Sequence, residues 1–171
     1  MQLPGNNFIL RQWQLNDAPS LQKNADDRHV SATLLDRFPY PYTLEDAVNF
    51  IGMKINETPV TNFAIDIGGE VAGVISIDVR ADVYRKTPLL GYWISPGYRG
   101  KGIITEAVKI ITNYAFNTLD IICIQANVFG NNPASMRVLE KSGFTRQGIL
   151  PKSVVKNGVV LDEHLFTIHR H

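Results

Sequence analysis

The stretch Leu89-Leu90-Gly91-Tyr92-Trp93-Ile94-Ser95-Pro96-Gly97-Tyr98-Arg99-Gly100-Lys101-Gly102-Ile103-Ile104-Thr105-Glu106-Ala107 decides the fold. An apolar, aromatic-rich run stops at Pro96-Gly97, a loop with paired glycines follows, and apolar residues then recur at helical spacing. That is strand, loop and helix. From Ile103 onward Ile104, Ala107, Val108, Ile110, Ile111, Tyr114 and Ala115 are apolar, while Glu106, Lys109, Asn113 and Asn117 take the other side, as an amphipathic helix requires. The loop therefore ends at a helix N-terminus, whose first N–H groups have no partner within the helix and carry the positive end of its dipole. Gly100 and Gly102 let the backbone approach an anion closely, and Arg99 and Lys101 add positive charge. A phosphate or pyrophosphate is the expected guest.

Spacing separates three kinds of phosphate loop. A Walker A loop needs Gly, four residues, then Gly-Lys-Ser/Thr; reading back from Gly100-Lys101 puts Ser95 at the first glycine and Gly102 at the hydroxyl position, so both ends fail. A dinucleotide fingerprint starting at Gly100 would place its third glycine at Thr105. The third pattern, Arg/Gln-x-x-Gly-x-Gly/Ala, is the acyl-CoA loop of the GNAT acetyltransferase superfamily. The segment Arg99-Gly100-Lys101-Gly102-Ile103-Ile104 resembles it, matching at Arg99 and Gly102 and departing at Ile104, where the family usually has a small residue.

A second motif decides among them. Ile121 to Val128 reads as a buried strand, and Asn131-Asn132-Pro133-Ala134-Ser135-Met136-Arg137-Val138-Leu139-Glu140-Lys141-Ser142-Gly143-Phe144 follows it. This closely resembles the N-x-x-S…LEK-x-GF segment of the same superfamily, in the ribosomal-protein N-terminal (alanine/serine) acetyltransferase branch and its small-molecule relatives. Pro133 suits the first turn of a helix and Gly143 the position past its end. Trp93, in Gly-Tyr-Trp-Ile, also looks like that branch.

The remaining chain reads as follows. Phe8 to Trp13 is a first strand; Asp17-Ala18-Pro19 gives an N-cap with proline just inside a helix running into the high twenties; Val30 to Asp36 is a short second helical stretch. Thr43 caps a further helix with Leu44, Ala47, Val48, Ile51 and Ile55 as its apolar stripe. Asn62 to Ile67, Gly68-Gly69 and Val71 to Val79 make a β-hairpin, and Lys156-Asn157-Gly158 turns a last one between Ser153-Val154-Val155 and Val159 to Ile168. The order β, α, α, β, β, β, α, β, α, β, β predicts an α/β (α+β) class. Its sheet is mixed and mostly antiparallel, with helices on both faces, and only the unit from Leu89 to Val128 has to be parallel, because of its crossover helix. At 171 residues one domain spanning 1–171 is expected.

Composition limits the partners. Hydrophobic content of 44% with 19% charged residues is ordinary for a globular chain, and a net charge of +1 without basic runs gives no footprint for nucleic acid or an anionic membrane. The N-terminus has no secretory pattern and no apolar run approaches a membrane span, which points to a cytoplasmic protein. The single Cys123 agrees with a reducing compartment and lies in an apolar strand, so it is read as a core thiol. His29, His164, His169 and His171 show no ligand spacing, and no metal is expected.

The resemblance implies a V-shaped split between the two central parallel strands into which the pantetheine arm of acetyl-CoA inserts by backbone pairing. It implies cofactor contacts at Trp93, Ile94, Ser95, Arg99, Gly100, Lys101, Gly102, Ile103, Ile104, Thr105, Asn127, Asn132 and Ser135. The oxyanion would be met by a backbone N–H near Ile94 or Ser95. Ser135 is the candidate acid toward the leaving thiolate, with Asn132 positioning the arm or a water; the bland readings are a small helix residue and an N-cap. The tyrosine that many other superfamily members use stands at the position of Leu139, which excludes that route. The glutamate that some N-terminal acetyltransferases carry falls at Val154, leaving Asp78, Asp82, Glu45 and Glu163 as bases by residue type. Phe38, Tyr40 and Tyr42 either wall the acceptor cleft or pack a proline turn. The implied activity is transfer of an acetyl group from the thioester to a primary amine, on a small molecule or a protein N-terminus; the alternative is a non-catalytic acyl-CoA sensor. A monomer and a homodimer both remain open.

Overall fold

A computed structural model describes residues 1–170; His171, weighed above as a ligand, lies outside the described residues. In chain order the elements are β1 (Gln2–Pro4), β2 (Ile9–Arg11), α1 (Ala18–Ala25), α2 (Arg28–Ser31), α3 (Leu44–Lys54), β3 (Asn62–Ile67), β4 (Glu70–Asp78), β5 (Leu89–Ile94), α4 (Ile103–Thr118), β6 (Cys123–Phe129), α5 (Pro133–Lys141), β7 (Thr145–Lys156) and β8 (Val159–His169). They build one sheet in the order β1-β2-β3-β4-β5-β6-β8-β7, antiparallel throughout except for β5 against β6. This is the mixed, mostly antiparallel α/β sheet expected.

Two apolar clusters lie on opposite faces of the sheet. On one, Ala107, Val108, Ile111 and Ala115 of α4 are fully buried against Ile75, Ile77, Ile124 and Phe166, and the larger of these side chains each contribute about 1.5–3 kcal/mol relative to exposure. On the other, Leu21 and Ala25 of α1 and Ala47 and Ile51 of α3 pack on Trp13, Val74 and Trp93. The α3 stripe is a correction: Leu44 and Val48 are exposed, and Phe50 turns inward instead, its ring edge-on to Trp13 at 5.3 Å. Asp17 is another. It stands at the N-cap of α1 but makes no side-chain cap bond, because its carboxylate takes a bidentate pair from Arg11 at 2.8 Å and the Gln14 N–H. The first helix ends at Ala25, α2 covers only Arg28–Ser31 rather than the stretch from Val30, and β1 is an additional edge strand.

The split is built by strand geometry. Ile65 pairs with Gly73 and Asp66 with Val71, so Ala72 is the extra residue of a bulge in β4, and a bulge bends the strand that carries it. A Cβ on Gly73 would lie 2.3 Å from the Trp93 carbonyl oxygen, so only glycine permits β5 to approach here. β5 and β6 share a single ladder pair, Leu89 with Gln125, where the Gln125 N–H donates to Pro88 O at 3.0 Å. Beyond it the strands part, while β5 keeps its pairing with β4 and β6 with β8.

Candidate active site

Alternation along the strands says which backbone groups face the gap. Ser95 N–H donates to Ala72 O at 2.8 Å, so Gly91, Trp93 and Ser95 address β4, and Tyr92 and Ile94 address the split. Gly130 N–H donates to Asp162 O at 2.8 Å, so Asn127 faces the split from β6. Ile94 O accepts from Arg99 Nε at 3.3 Å, which leaves the Ile94 N–H, the Tyr92 N–H and C=O and the Asn127 N–H and C=O available to an inserted chain. The Ser95 N–H is committed to β4, so of the two oxyanion donors expected only Ile94 has the orientation.

The loop after β5 holds the geometry an anion requires. Gly100 and Gly102 sit at φ +75° and +76°, a left-handed backbone that glycine adopts without strain, and at neither would a Cβ meet any atom within 4 Å. The space over the loop is open. Gly102 is the N-cap of α4, with no side chain covering the N–H groups that follow it. Ile103 and Ile104 are buried in the core beside α4, and both also border the open space next to the loop. Thr105 O accepts from the Ser142 hydroxyl at 3.2 Å, tying the start of α4 to the end of α5. Arg99 bridges Ile94 O and His29 O, and Lys101 Nζ lies 5.5 Å from the centre of the Tyr98 ring.

A cavity of about 1440 Å³ runs from this loop through the split to α3. It exceeds the roughly 300–1,000 Å³ of an ordinary small-molecule pocket and has room for two substrates. Arg99, Lys101, Arg137 and Lys141 line it. The last two, four residues apart on α5, were missed in the sequence, although that spacing puts both on one helix face. Phe38 and Tyr42 line it as well, stacked at 5.0 Å with Phe38 edge-on to Trp93 at 5.9 Å, whereas Tyr40 is exposed and outside it. Of the four carboxylates considered by type, Asp78 and Glu163 line the cavity and Asp82 and Glu45 do not.

Polar groups divide between the two faces of the split. Tyr92 packs with Leu90 and Ile94 on the α4 side, and its hydroxyl meets Ser135 Oγ at 2.7 Å. Burial pushes the Tyr92 phenol up to about 12, outweighing the opposite effect of the Ser135 bond, so it is protonated at neutral pH. Asn132 caps α5, its Oδ1 accepting from Ser135 N–H at 3.3 Å, and Asn127 Oδ1 accepts from Gln125 Nε2 at 2.9 Å. On the opposite face, with Trp93, lie Ser76 and Asp78 of β4 and Glu163 of β8, the last paired across from Phe129. Asp78 has Arg37 Nη2 at 3.7 Å. Among the described residues no group of His, Cys, Asp and Glu is placed to hold a metal, and no helix is long and apolar enough to cross a membrane.

A family model described as an acetyltransferase (GNAT) domain matches residues 7–145. The chain belongs to the GNAT acetyltransferase family. Its similarity to a Bacillus subtilis protein named as a probable N-acetyltransferase, YjcK, is 45% identity over 83 residues, 48% of this chain and 46% of that one, so the match spans about half of the relative's length. The GNAT fold is shared over the whole chain with a GNAT-family acetyltransferase from Bacillus anthracis, at a TM-score of 0.84 and 23% identity over 99% of this chain and 98% of that one. It is also shared with RimL, a ribosomal L7/L12 alpha-N-protein acetyltransferase in complex with coenzyme A, at 0.86 and 20% identity over 99% and 98%. Both likenesses, at under 25% identity, are of fold.

Proposed function

We propose that this protein is an acetyl-CoA-dependent N-acetyltransferase acting on a primary amine. One observation carries the reading: an open, positive-φ glycine loop at the start of α4 continues directly into a strand split with unpaired backbone, and Ser135 stands at its side. The coenzyme A in the RimL complex supports the same ligand here, as does the fit of a diphosphate over Gly100–Gly102, where no atom occupies the space of a side chain. Acetyl-CoA supplies an activated thioester; the rest falls to the protein.

The inserted arm pairs with Tyr92 and Asn127, and its diphosphate rests on the N–H groups from Gly102 to Thr105, with Arg99, Lys101, Arg137 and Lys141 nearby. The Ile94 N–H faces the carbonyl oxygen as negative charge develops on it. The Ser135 hydroxyl, on the α4 side, donates to sulfur as the C–S bond breaks. The amine approaches from the face of Trp93 and gives its proton to a carboxylate there, Asp78 or Glu163. Acid and base on opposite faces suit attack on a flat thioester.

Two substitutions separate the carboxylates. The one acting as base loses about 10²-fold or more in kcat when replaced, Asp78→Asn or Glu163→Gln, with acetyl-CoA affinity unchanged; equal, near-normal rates in both would remove a protein base from the scheme. The function itself is tested by mass spectrometry of products from acetyl-CoA with a panel of peptides, amino acids and polyamines. One panel class gaining an acetyl group is the expected result and names the acceptor; no acetylated amine with bound acetyl-CoA would mean a non-catalytic binding protein.

A further inference from the structure

The contact between Tyr92 and Ser135 joins two elements that the chain keeps 43 residues apart. Tyr92 rises from β5, on one bank of the split, and Ser135 lies in the first turn of α5, beyond the other. Their oxygens are 2.7 Å apart, and the next acceptor near the phenol, Ser135 O, is at 3.4 Å. A phenol is the stronger donor of the two hydroxyls and an aliphatic oxygen the stronger acceptor, so the favoured arrangement has Tyr92 Oη–H donating to Ser135 Oγ. A serine inside a helix otherwise turns its hydroxyl back to a carbonyl of the preceding turn. Here the bond to Tyr92 holds Oγ toward β5 and leaves its hydrogen free.

We propose that Tyr92 is a positioning residue that fixes the Ser135 hydroxyl so that its hydrogen points into the split, at the sulfur of the acyl donor. This rests on the reading of the site as an acetyltransferase. In the reaction a C–N bond forms and the C–S bond breaks. The amine's proton passes to the carboxylate on the opposite face and from there to solvent; the departing thiolate, met by a hydrogen bond from Ser135, takes its proton from solvent, and Ser135 and Tyr92 keep their own. What Tyr92 contributes is direction: the sulfur's developing charge meets a donor already aimed at it. Tyr92 packs, partly buried, against the apolar cluster on the α4 side, and both atoms within hydrogen-bond distance of its hydroxyl belong to Ser135, so its alignment depends on that residue.

The test is Tyr92→Phe, which keeps the ring and removes the hydroxyl, assayed by thiol release beside Ser135→Ala and the double variant. Tyr92→Phe is expected to lower kcat about tenfold, leaving KM for acetyl-CoA within twofold, as loss of one well-placed hydrogen bond would. Ser135→Ala lowers kcat further, and the double variant is no slower than Ser135→Ala alone, because an aimed hydroxyl matters only while it exists. A purely structural role for Tyr92 would instead multiply the two losses and lower the thermal midpoint. Wild-type kcat in Tyr92→Phe, with Ser135→Ala slow, overturns this inference alone; wild-type kcat in Ser135→Ala overturns the role of Ser135 on which it rests.

Discussion

Gly102→Glu is expected to raise the dissociation constant for acetyl-CoA at least about a hundredfold. The position is the N-cap of α4, and a side chain there meets no protein atom but stands in the space given above to the diphosphate. Charge supplies most of the loss. A carboxylate about 4 Å from a phosphate, at the effective dielectric of a protein surface, costs about 4 kcal/mol before screening, and 2.7 kcal/mol already corresponds to the hundredfold. The φ of +76° adds a separate cost of roughly 1–2 kcal/mol in folding stability for any side chain at this place. Gly102→Asn separates the two effects, because asparagine tolerates the left-handed region better than most residues and carries no charge. Calorimetry of both variants should find Gly102→Asn within about tenfold of wild type and Gly102→Glu without measurable binding. Near-wild-type affinity in Gly102→Glu would mean that the anion lies elsewhere.

Stability should respond most to Arg11. Its guanidinium is held on two sides, by Asp17 at 2.8 Å through both terminal nitrogens and by Asp66 at 2.6 Å through Nε, with all three side chains largely shielded. The hydrogen bond to Asp17 raises the arginine pKa above its ordinary value, against the lowering effect of burial. This cluster joins β2, the start of α1 and β3 beneath the helices that wall the cleft. Arg11→Met leaves two carboxylates close together without a cation, a change that costs about 3–5 kcal/mol where a buried pair is broken. For a chain of this length that lowers the thermal midpoint by about 6–20 °C. Thermal unfolding followed by circular dichroism reads it directly; a shift of under about 2 °C would show that the pair contributes little net stability.

The sequence was most legible where local chemistry and long-range packing agree. Gly100 and Gly102 interrupt an apolar strand and an apolar helix, and the structure gives both the positive φ their type suggests. Gly143 and Asn157-Gly158, also at positive φ, sit at the helix end and hairpin turn where they were expected. Legibility failed where a residue's role is set by a distant partner. Gln2–Pro4 has no alternation to mark it as a strand, and its pairing with Ile9–Arg11 supplies what the sequence lacks. Asp17 had the position of a cap, but Arg11 outcompeted the helix N–H groups for its carboxylate. On α3 the spacing of Leu44 and Val48 was as regular as that of the buried residues, and only the place of Trp13 turned Phe50 inward. Tyr92 read as one more aromatic in a strand. Its hydroxyl acquires a role only once β5 and α5 face each other across the split.

The central claim is that the glycine loop and the strand split together bind acetyl-CoA and expose its thioester to an amine. A calorimetric titration with acetyl-CoA, followed in the same sample by thiol release on addition of the amine panel, tests it most directly. Saturable binding, then release of thiol with at least one amine, is the predicted result. Absence of any binding heat, with acetyl-CoA unable to raise the thermal midpoint, would contradict it.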